Sequence, residues 1–331
     1  MKKIIVGNDA IVDTMLKGIA FAHSGKLSRL DGFSVMTRKS LNENKVALVS
    51  GGGSGHEPAH AGFVGRGMLD AAVAGEVFTS PTPDQVLAAI KAVAGKKGVL
   101  LVIKNYSGDV MNFEMAAEMA EMEGINVAKV IVNDDVAVMN STYTTGRRGI
   151  AGTVFVHKVA GAKAELGASL PEVLAVAKKA VENTRSKGCA LSPCIVPAVG
   201  KPTFTLGESE MEIGLGIHGE PGVKRVPMMD AEQIAEDLAG SAAADLGLKP
   251  GDKVALLVNG LGATPLMELY ILAACVGEHL RKSGIESPRV YVREFMTSLE
   301  MAGASVSLMR LDDELLGLLD KPCDTPAWTQ S

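Results

Sequence analysis

The chain has 331 residues, of which 47% are hydrophobic but only 4% aromatic, and its formal net charge is −5. It is long enough for two domains with buried cores, and its charge gives no general attraction for nucleic acid or for an anionic membrane. No apolar stretch reaches the roughly 18 residues of a membrane helix, and residues 1–8 lack the apolar core of a signal peptide. We therefore expect a cytoplasmic protein whose partners are small molecules or other proteins.

Short apolar runs alternate with longer helical patterns along the whole chain. Strands separated by helices of roughly 10–20 residues are typical of α/β proteins. The sequence therefore predicts two α/β domains with mixed or largely parallel sheets. The predicted strands are Val46–Ser50, Gly98–Lys104, Asn126–Val132, Cys189–Val196, Met211–Ile217, Lys253–Asn259, Arg289–Glu294 and Ser305–Leu311.

Capping patterns indicate where several helices begin. A Ser, Thr or Asp followed three residues later by Glu or Gln is a capping box, and proline is favoured at the first helical position. Such patterns occur at Thr82, Ser169 and Asp230. The predicted helices are Val86–Val93, Val110–Glu123, one from Ser169 to about Lys187, one from Asp230 to about Asp245, and one from Thr264 to near Gly284.

The boundary between the domains is predicted from composition. Residues 197–210 collect Pro, Gly, Lys and Ser without any periodicity, which is typical of a linker. The preceding run, Cys189–Val196, could return to either sheet. We expect an N-terminal domain of residues 1–185 and a C-terminal domain of residues 186–331.

A glycine-rich segment follows the first predicted strand. Residues 51–55 read Gly-Gly-Gly-Ser-Gly, and His56 comes next. A tight turn between a strand and a helix is one interpretation, but four glycines with a serine and a histidine exceed what a turn needs. We favour a loop whose main-chain N–H groups hold a small polar ligand. It is not a P-loop, since no GxxxxGK[ST] occurs in the chain.

Two motif matches are predicted to be accidental. Residues 56–60 fit HExxH, but Pro58 disfavours the regular helix that a zinc site of this type requires. Residues 214–219 fit GxGxxG, but Glu-Pro-Gly follows where a helix would have to begin. The cysteines show no CxxC spacing. We therefore expect no metal site and no nucleotide bound through these motifs.

Asp109 and His218 each have two interpretations. Asp109 either caps the helix Val110–Glu123 or faces a ligand at the carboxyl end of a strand, and the pattern does not separate the two. His218 is either a hydrogen-bonded structural residue or part of a site. The flanking Gly216 and Gly219 favour a site, because they would clear space around the imidazole ring.

Three segments together resemble the dihydroxyacetone kinase family, in the substrate-binding part usually called DhaK. They are GGGSGHEP at residues 51–58, KNYSGD at residues 104–109 and GLGIHGEPG at residues 214–222. The resemblance extends over most of the chain. It implies that dihydroxyacetone binds in the cleft between two α/β domains, where a histidine ring nitrogen captures the ketone carbon as a covalent hemiaminal.

The resemblance also assigns roles to residues of this sequence. It carries the covalent histidine over to His218, with His56 and Asp109 as further catalytic residues. Asp109 would accept a proton from the reacting hydroxyl, and His56 would hydrogen-bond oxygens of the ketose. The substrate-binding set that it implies is Gly53, Ser54, Gly55, His56, Lys104, Asp109 and His218.

The phosphoryl donor is expected on another protein. The resemblance implies that this chain holds no cofactor, that ADP or ATP with Mg²⁺ stays on a DhaL-like partner, and that a DhaM-like phosphocarrier recharges it. It also implies a homodimer. The segment Tyr143–Gly149 is similar to this phosphotransferase-system branch. Within it, Arg147 and Arg148 are either a solvated pair or part of the surface that receives the partner's phosphate-bearing face.

Two other functions remain open from the sequence. Relatives of this family sense dihydroxyacetone and activate transcription without phosphorylating anything. Related kinases act on four-carbon ketoses such as erythrulose. The complete set of His56, Lys104, Asp109 and His218 favours catalysis over sensing, and nothing in the pattern measures the size of the pocket.

Overall fold

A computed structural model describes residues 2–139 and 145–331 of the chain. These residues divide into two compact units. The first unit consists of residues 2–132, 155–180 and 315–331, and the second consists of residues 133–154, as far as they are described, and 181–314. The sequence predicted a domain boundary at residue 185, that is, a boundary between parts that fold independently. A division into compact units does not test independent folding, so this boundary stays a prediction.

The first unit is built on a mixed sheet. Within the described residues its strands lie in the order β1-β2-β4-β3-β5-β6. The four neighbouring strands β4, β3, β5 and β6 are parallel to one another, whereas β1 and β2 form an antiparallel edge. The strands are β1 Leu27–Arg29, β2 Val35–Arg38, β3 Ala47–Ser54, β4 Ala71–Val77, β5 Val99–Lys104 and β6 Val127–Val132.

Helices cover this sheet and supply much of its core. Phe113 and Ile90 are fully buried and pack with Val49, Val73 and Leu101 of the strands. Apolar side chains removed from water in this way provide most of the stabilisation of such a layer. The helices are α1 Ile11–Ala22, α2 Pro83–Val93, α3 Ser107–Met122, α4 Thr153–Glu165 and α5 Leu170–Glu182, and a small hairpin is formed by β13 Cys323–Asp324 and β14 Thr329–Gln330.

The second unit contains a sheet of different character. In the part of the chain that is described, its strands lie in the order β11-β10-β12-β7-β8-β9, and of these pairs β10 and β11 alone are parallel. The strands are β7 Thr184–Ala190, β8 Glu210–Ile213, β9 Lys224–Pro227, β10 Lys253–Gly260, β11 Glu286–Arg293 and β12 Gly303–Arg310. The helices are α6 Ala231–Leu246, α7 Leu266–Lys282 and α8 Asp313–Leu319. The last residues of α8 belong to the first unit.

The three predicted capping positions precede their helices as expected, but the predicted hydrogen bonds do not form at all of them. Asp230 forms the predicted capping box, accepting from the Gln233 N–H at 2.9 Å while the Gln233 side chain accepts from the Asp230 N–H at 3.1 Å. Thr82 precedes α2, but its side chain makes no capping hydrogen bond. At Ser169 the Glu172 carboxylate accepts from both the main-chain N–H and the hydroxyl.

The predicted α/β class with mixed sheets is confirmed, and several strand bounds need correction. The run Cys189–Val196 was expected as a strand, but the strand is Thr184–Ala190, because α5 ends at Glu182 and leaves the following residues free to pair with β12. The strand expected at Met211–Ile217 ends at Ile213, since Gly214 takes a φ of +75°. No helix in the described ranges is long and apolar enough to span a bilayer.

Candidate functional site

The glycine-rich segment is a strand rather than a loop. Gly51, Gly52, Gly53 and Ser54 are the buried last residues of β3, and β4 pairs with them. A β carbon on Gly51 would lie 2.4 Å from the Val73 carbonyl oxygen, and one on Gly53 would lie 2.6 Å from the Thr79 nitrogen. Such distances are too short for any side chain. Close neighbouring backbone therefore requires these two glycines, whatever ligand the segment holds.

Lys104 and Asp109 form a buried ion pair beside this strand. Lys104 ends β5 with 0% exposure, and its Nζ donates to Asp109 Oδ2 and to the Gly51 carbonyl oxygen, each at 3.2 Å. A β carbon on Gly52 would lie 2.2 Å from that Nζ, at a φ of +152°. Gly52 therefore leaves the space that the ammonium group fills. The ion pair and the glycine segment form one arrangement.

Asp109 does not cap its helix. The helix α3 begins at Ser107, with Tyr106 as the preceding residue, so the capping interpretation of Asp109 is wrong. Its carboxylate lies in the first turn, where the N-terminal end of the helix favours negative charge. Oδ1 accepts a hydrogen bond from Ser80 Oγ at 2.5 Å. Both carboxylate oxygens are thus held, and the group is oriented by α3, by β5 and by the segment after β4.

His56 lies just beyond the end of β3 and is fully buried. Its ring stacks on Phe78, with 5.1 Å between ring centroids and an angle of 20°. Nearby polar groups are engaged, since Ser54 Oγ donates to the Gly75 carbonyl oxygen at 2.7 Å and the Gly55 N–H donates to both Glu57 carboxylate oxygens. Burial raises the pKa of Glu57.

The segment that matches HExxH forms turns, as Pro58 predicts, and not a helix. Across residues 2–139 and 145–331, no three His, Cys, Asp or Glu side chains converge as metal ligands would. The second match, at residues 214–219, likewise leads into no helix, because residues 220–223 form neither helix nor strand.

A buried histidine pair lies next to this group and was not predicted. His60 Nδ1 is 3.0 Å from Nε2 of His157, which α4 contributes, and Ser50 Oγ is 3.5 Å from the same His60 nitrogen. Neither histidine belongs to a conspicuous local motif apart from the HExxH match, so their sequence positions gave no signal. The contact between them depends on how α4 packs against residues 56–63.

Both rings of this pair are neutral over the usual pH range. Burial, followed by the charge of Lys104, lowers the pKa of His157 to about 3. The same two causes, in the same order, lower the pKa of His60 well below its usual range. In the described part of the chain, His60 Nε2 and His157 Nδ1 have no hydrogen-bond partner. A proton added to either ring would therefore be buried without an acceptor.

His218 belongs to the second unit, in the segment that follows β8. Its main-chain N–H donates to Glu220 Oε2 at 2.8 Å. A β carbon on Gly216 would lie 1.7 Å from Glu220 Oε1, and one on Gly219 would lie 2.7 Å from Cys194 Sγ. The sequence predicted that these two glycines clear space around the imidazole for a ligand, but the space beside them is filled by protein atoms. They make room for Glu220 and Cys194.

The two arginines before α4 are not a solvated pair. Arg148 is 2% exposed, and Arg147 forms a bidentate pair with Asp245 through bonds of 2.7 and 2.6 Å. Tyr143 and Thr144, at the start of the segment that resembles the phosphotransferase-system branch, lie outside the described residues. Arg148 is thus a buried charge that needs partners within hydrogen-bonding distance.

The predicted site residues therefore fall into two groups. In the first unit, the structure brings Lys104 and Asp109 together against Gly52, at the end of the strand that leads to His56. In the second unit, His218 is held through Glu220. The roles of Gly53, Ser54 and Gly55 as ligand contacts stay predictions.

Comparisons with known proteins concern nearly the whole chain. A family model described as the Dak1 domain matches residues 17–327. The PTS-dependent dihydroxyacetone kinase 1, dihydroxyacetone-binding subunit DhaK, of Listeria innocua is 53% identical over 329 residues, which cover 99% of this chain and 100% of that protein.

Two solved structures are similar in fold over almost the full length. The dihydroxyacetone kinase operon co-activator Dha-DhaQ has a TM-score of 0.91 and 38% identity, and the match covers 96% of this chain and 98% of that one. The dihydroxyacetone kinase of C. freundii, in its native form, has a TM-score of 0.88 and 37% identity, with 99% of this chain and 60% of that one covered.

The histidine pair predicts a pH-dependent stability. The pKa of His157 in the folded protein, about 3, lies below the usual 6.5 of an unfolded chain, so unfolding takes up a proton between these values. Stability from the neutral ring is full above pH 6.5 and is lost as the pH falls towards 3. Between about pH 8 and pH 5, the wild type should therefore lose about 2 kcal/mol of unfolding free energy that His157→Gln does not lose. Urea unfolding at both pH values measures this, and a constant difference would contradict it.

Proposed function

The chain belongs to the Dak1 domain family, and on that basis we propose that it is the dihydroxyacetone-binding subunit of a phosphotransferase-system-dependent dihydroxyacetone kinase. The observation that carries the proposal is the 53% identity to the Listeria innocua subunit of that name, over 99% of this chain and 100% of the relative. The buried Lys104–Asp109 pair supports a catalytic role, since it holds a carboxylate in a fixed orientation.

The first chemical step is the capture of the ketone by His218. A ring nitrogen lone pair forms a bond to the carbonyl carbon, and the π electrons of the carbonyl bond move to its oxygen. That oxygen takes up a proton while the other ring nitrogen releases one, so the hemiaminal is neutral. No oxidant or cofactor is required. Glycerol has no carbonyl group and forms no such bond, which accounts for selectivity between two molecules of similar size.

The second step transfers a phosphoryl group to a hydroxyl of the captured ketose. Asp109 accepts the hydroxyl proton as the hydroxyl oxygen attacks phosphorus. The bond between this phosphorus and the oxygen of the leaving nucleoside diphosphate breaks. Lys104 and Ser80, which hold the two carboxylate oxygens, orient Asp109 for this role. We propose that His56 hydrogen-bonds an oxygen of the ketose, and that the Phe78 ring fixes the plane of its imidazole.

The donor nucleotide belongs to a partner in this proposal. The sequence contains no P-loop, so we propose that a DhaL-like subunit brings the nucleotide with Mg²⁺ and that a DhaM-like phosphocarrier recharges it. This chain binds the ketose, and it supplies His218 as the covalent residue and Asp109 as the base. A cytoplasmic location goes with such partners and stays a prediction.

A sensing role is the second candidate, and a specific observation favours it. The co-activator Dha-DhaQ matches this fold with a TM-score of 0.91. The higher identity to the kinase subunit, 53% against 38%, favours catalysis. A four-carbon ketose also remains open, because a putative 3,4-dihydroxy-2-butanone kinase of Solanum lycopersicum is 46% identical over 99% of this chain and 57% of that protein.

Phosphoryl transfer tests catalysis against sensing, with Asp109→Asn as the decisive variant. The wild-type chain should be inactive with ATP and dihydroxyacetone alone, and active once a charged DhaL-like subunit is added. Asn keeps an oxygen for Lys104 to bond but is not a base. We expect the variant to bind the ketose nearly as well as wild type and to lose on the order of 10²–10⁴ in rate. Coupled-assay kinetics measure this.

The control for that assay is Asp84→Asn. Asp84 is an exposed carboxylate in the first turn of α2, as Asp109 is a buried one in the first turn of α3. This change should leave the rate unaltered. Full turnover by Asp109→Asn would remove its role as base, and turnover by the wild-type chain without any partner would reveal a nucleotide site in this protein. Complete inactivity with the partner present would favour sensing.

The covalent role of His218 gives a separate prediction. His218→Ala should lose affinity for dihydroxyacetone while its weak affinity for glycerol stays nearly constant, because only the ketone uses the imidazole as a nucleophile. Calorimetric titration with both ligands measures the difference. In crystals soaked with dihydroxyacetone, continuous density should join a ring nitrogen to the ketone carbon. An unbonded ligand, or a variant that keeps its preference for the ketone, would show that the hemiaminal does not form.

We also propose a homodimer formed through the second unit. Leu266, Met267, Tyr270 and Ile271 expose 51%, 67%, 57% and 48% of their surface along one side of α7. The neighbouring β11 is the edge strand of its sheet, and an open edge pairs readily with another chain. Light scattering should give twice the chain mass, and Ile271→Glu should give the monomer. A monomeric wild-type chain would contradict this assignment.

A further inference from the structure

A buried arginine lies in the second unit, outside the predicted site residues. Arg148 Nε donates to Asp135 Oδ2 at 2.7 Å, and Nη2 donates to the Gly214 carbonyl oxygen at 2.8 Å. Nη1 donates to Glu220 Oε1 at 3.2 Å. A buried guanidinium group loses its hydration and needs charged partners around it. These contacts therefore hold it in one orientation, as the planar fork of arginine allows.

Glu220 connects this guanidinium to His218. One carboxylate oxygen accepts from Arg148, and the other accepts from the main-chain N–H of His218 at 2.8 Å. The carboxylate lies directly against Gly216, where a β carbon would be 1.7 Å from Oε1 and 3.0 Å from Arg148 Nη1. Any side chain at residue 216 would displace the bridge.

On the side of Arg148 away from His218, Asp135 connects these contacts to the sheet. Asp135 Oδ1 accepts from the Ala137 N–H at 2.9 Å, and the Asp135 backbone pairs with Ser186 of β7. Burial raises the pKa of Asp135 to about 6, against the charge of Arg148, which lowers it. At neutral pH the carboxylate therefore remains mostly charged and retains Arg148. An unbroken series of contacts runs from β7 through Asp135, Arg148 and Glu220 to His218.

The segment that carries His218 depends on such contacts. Residues 214–222 form neither helix nor strand, and Gly214 and Gly219 both take a φ of +75°. A backbone of this kind lacks the ladder of hydrogen bonds that fixes a strand. A nucleophile displaced by only about 1 Å loses on the order of a hundredfold in rate, so a site here requires a side-chain anchor.

We propose that Arg148 and Glu220 are positioning residues, which hold His218 so that its ring nitrogen meets the ketone carbon. The inference rests on the proposed function, in which that nitrogen forms the hemiaminal. Glu220 accepts from two donors at once. In Glu220→Gln, only the amide oxygen accepts, and the NH₂ group meets whichever donor remains. Arg148→Lys keeps the charge but loses the fork.

The test is ¹³C NMR of the full chain with dihydroxyacetone labelled at the ketone carbon. In wild type the bound carbon should give a tetrahedral signal. In Glu220→Gln and in Arg148→Lys we expect the affinity for dihydroxyacetone to fall about ten- to a hundredfold. The tetrahedral fraction should fall with it, while the weak affinity for glycerol stays constant. A merely structural role would lower both affinities together.

The matched control is Arg225→Lys. Arg225 of β9 donates to Glu212 Oε1 at 2.9 Å, so it forms an Arg–Glu pair on the hairpin beside this segment without contacting Glu220. This variant should keep the wild-type signal. If Arg148→Lys does not fold, Glu220→Gln decides alone. Variants with unchanged adduct and affinity would overturn the positioning role while leaving the hemiaminal intact. A wild-type chain without any adduct would overturn both.

Discussion

The ammonium group of Lys104, buried without contact with solvent, is the constraint on which the arrangement of the first unit depends. A charge in that position must have an opposite charge and hydrogen-bond acceptors within reach. Asp109 and the Gly51 carbonyl oxygen supply them. The field of the same group contributes to keeping His60 and His157 neutral. One cation thus orients a carboxylate and adds to the larger effect of burial in keeping two imidazole rings neutral.

The second unit solves the same problem with other residues. Arg148 is buried between two carboxylates, as Lys104 is buried beside one, and each cation has a glycine pressed against its partners. In both places the missing β carbon gives room to a charged group of the protein itself. The glycine-rich motifs are therefore closely packed at Gly52 and Gly216. This is what a site needs if it is to recognise a small molecule by position.

Much of the fold could be predicted from the sequence where local signals agree. The strands β5, β6 and β10 were predicted within one residue at each end, because apolar runs between turn residues leave few alternatives. The short strands β1 and β2 were missed, since β2 forms by pairing with β4 and β1 by pairing with β2, rather than by pattern. The end of α5 was placed five residues too late, because a helical pattern does not register the competing pairing with β12.

The site was predicted in part, and the difference is physical. Lys104, Asp109 and His218 were named by motif. The contacts of Ser80 with Asp109, of Arg148 with Glu220 and of His157 with His60 join residues far apart in sequence and are defined only by packing. A glycine also looks the same whether it faces a ligand or a neighbouring ammonium group. The close approach at Gly52 has an evolutionary consequence. A β carbon at residue 52 would lie 2.2 Å from the Lys104 ammonium group, and the φ of +152° disfavours any L side chain there even without the lysine, so descendants of this protein that change residue 104 should still keep glycine at residue 52.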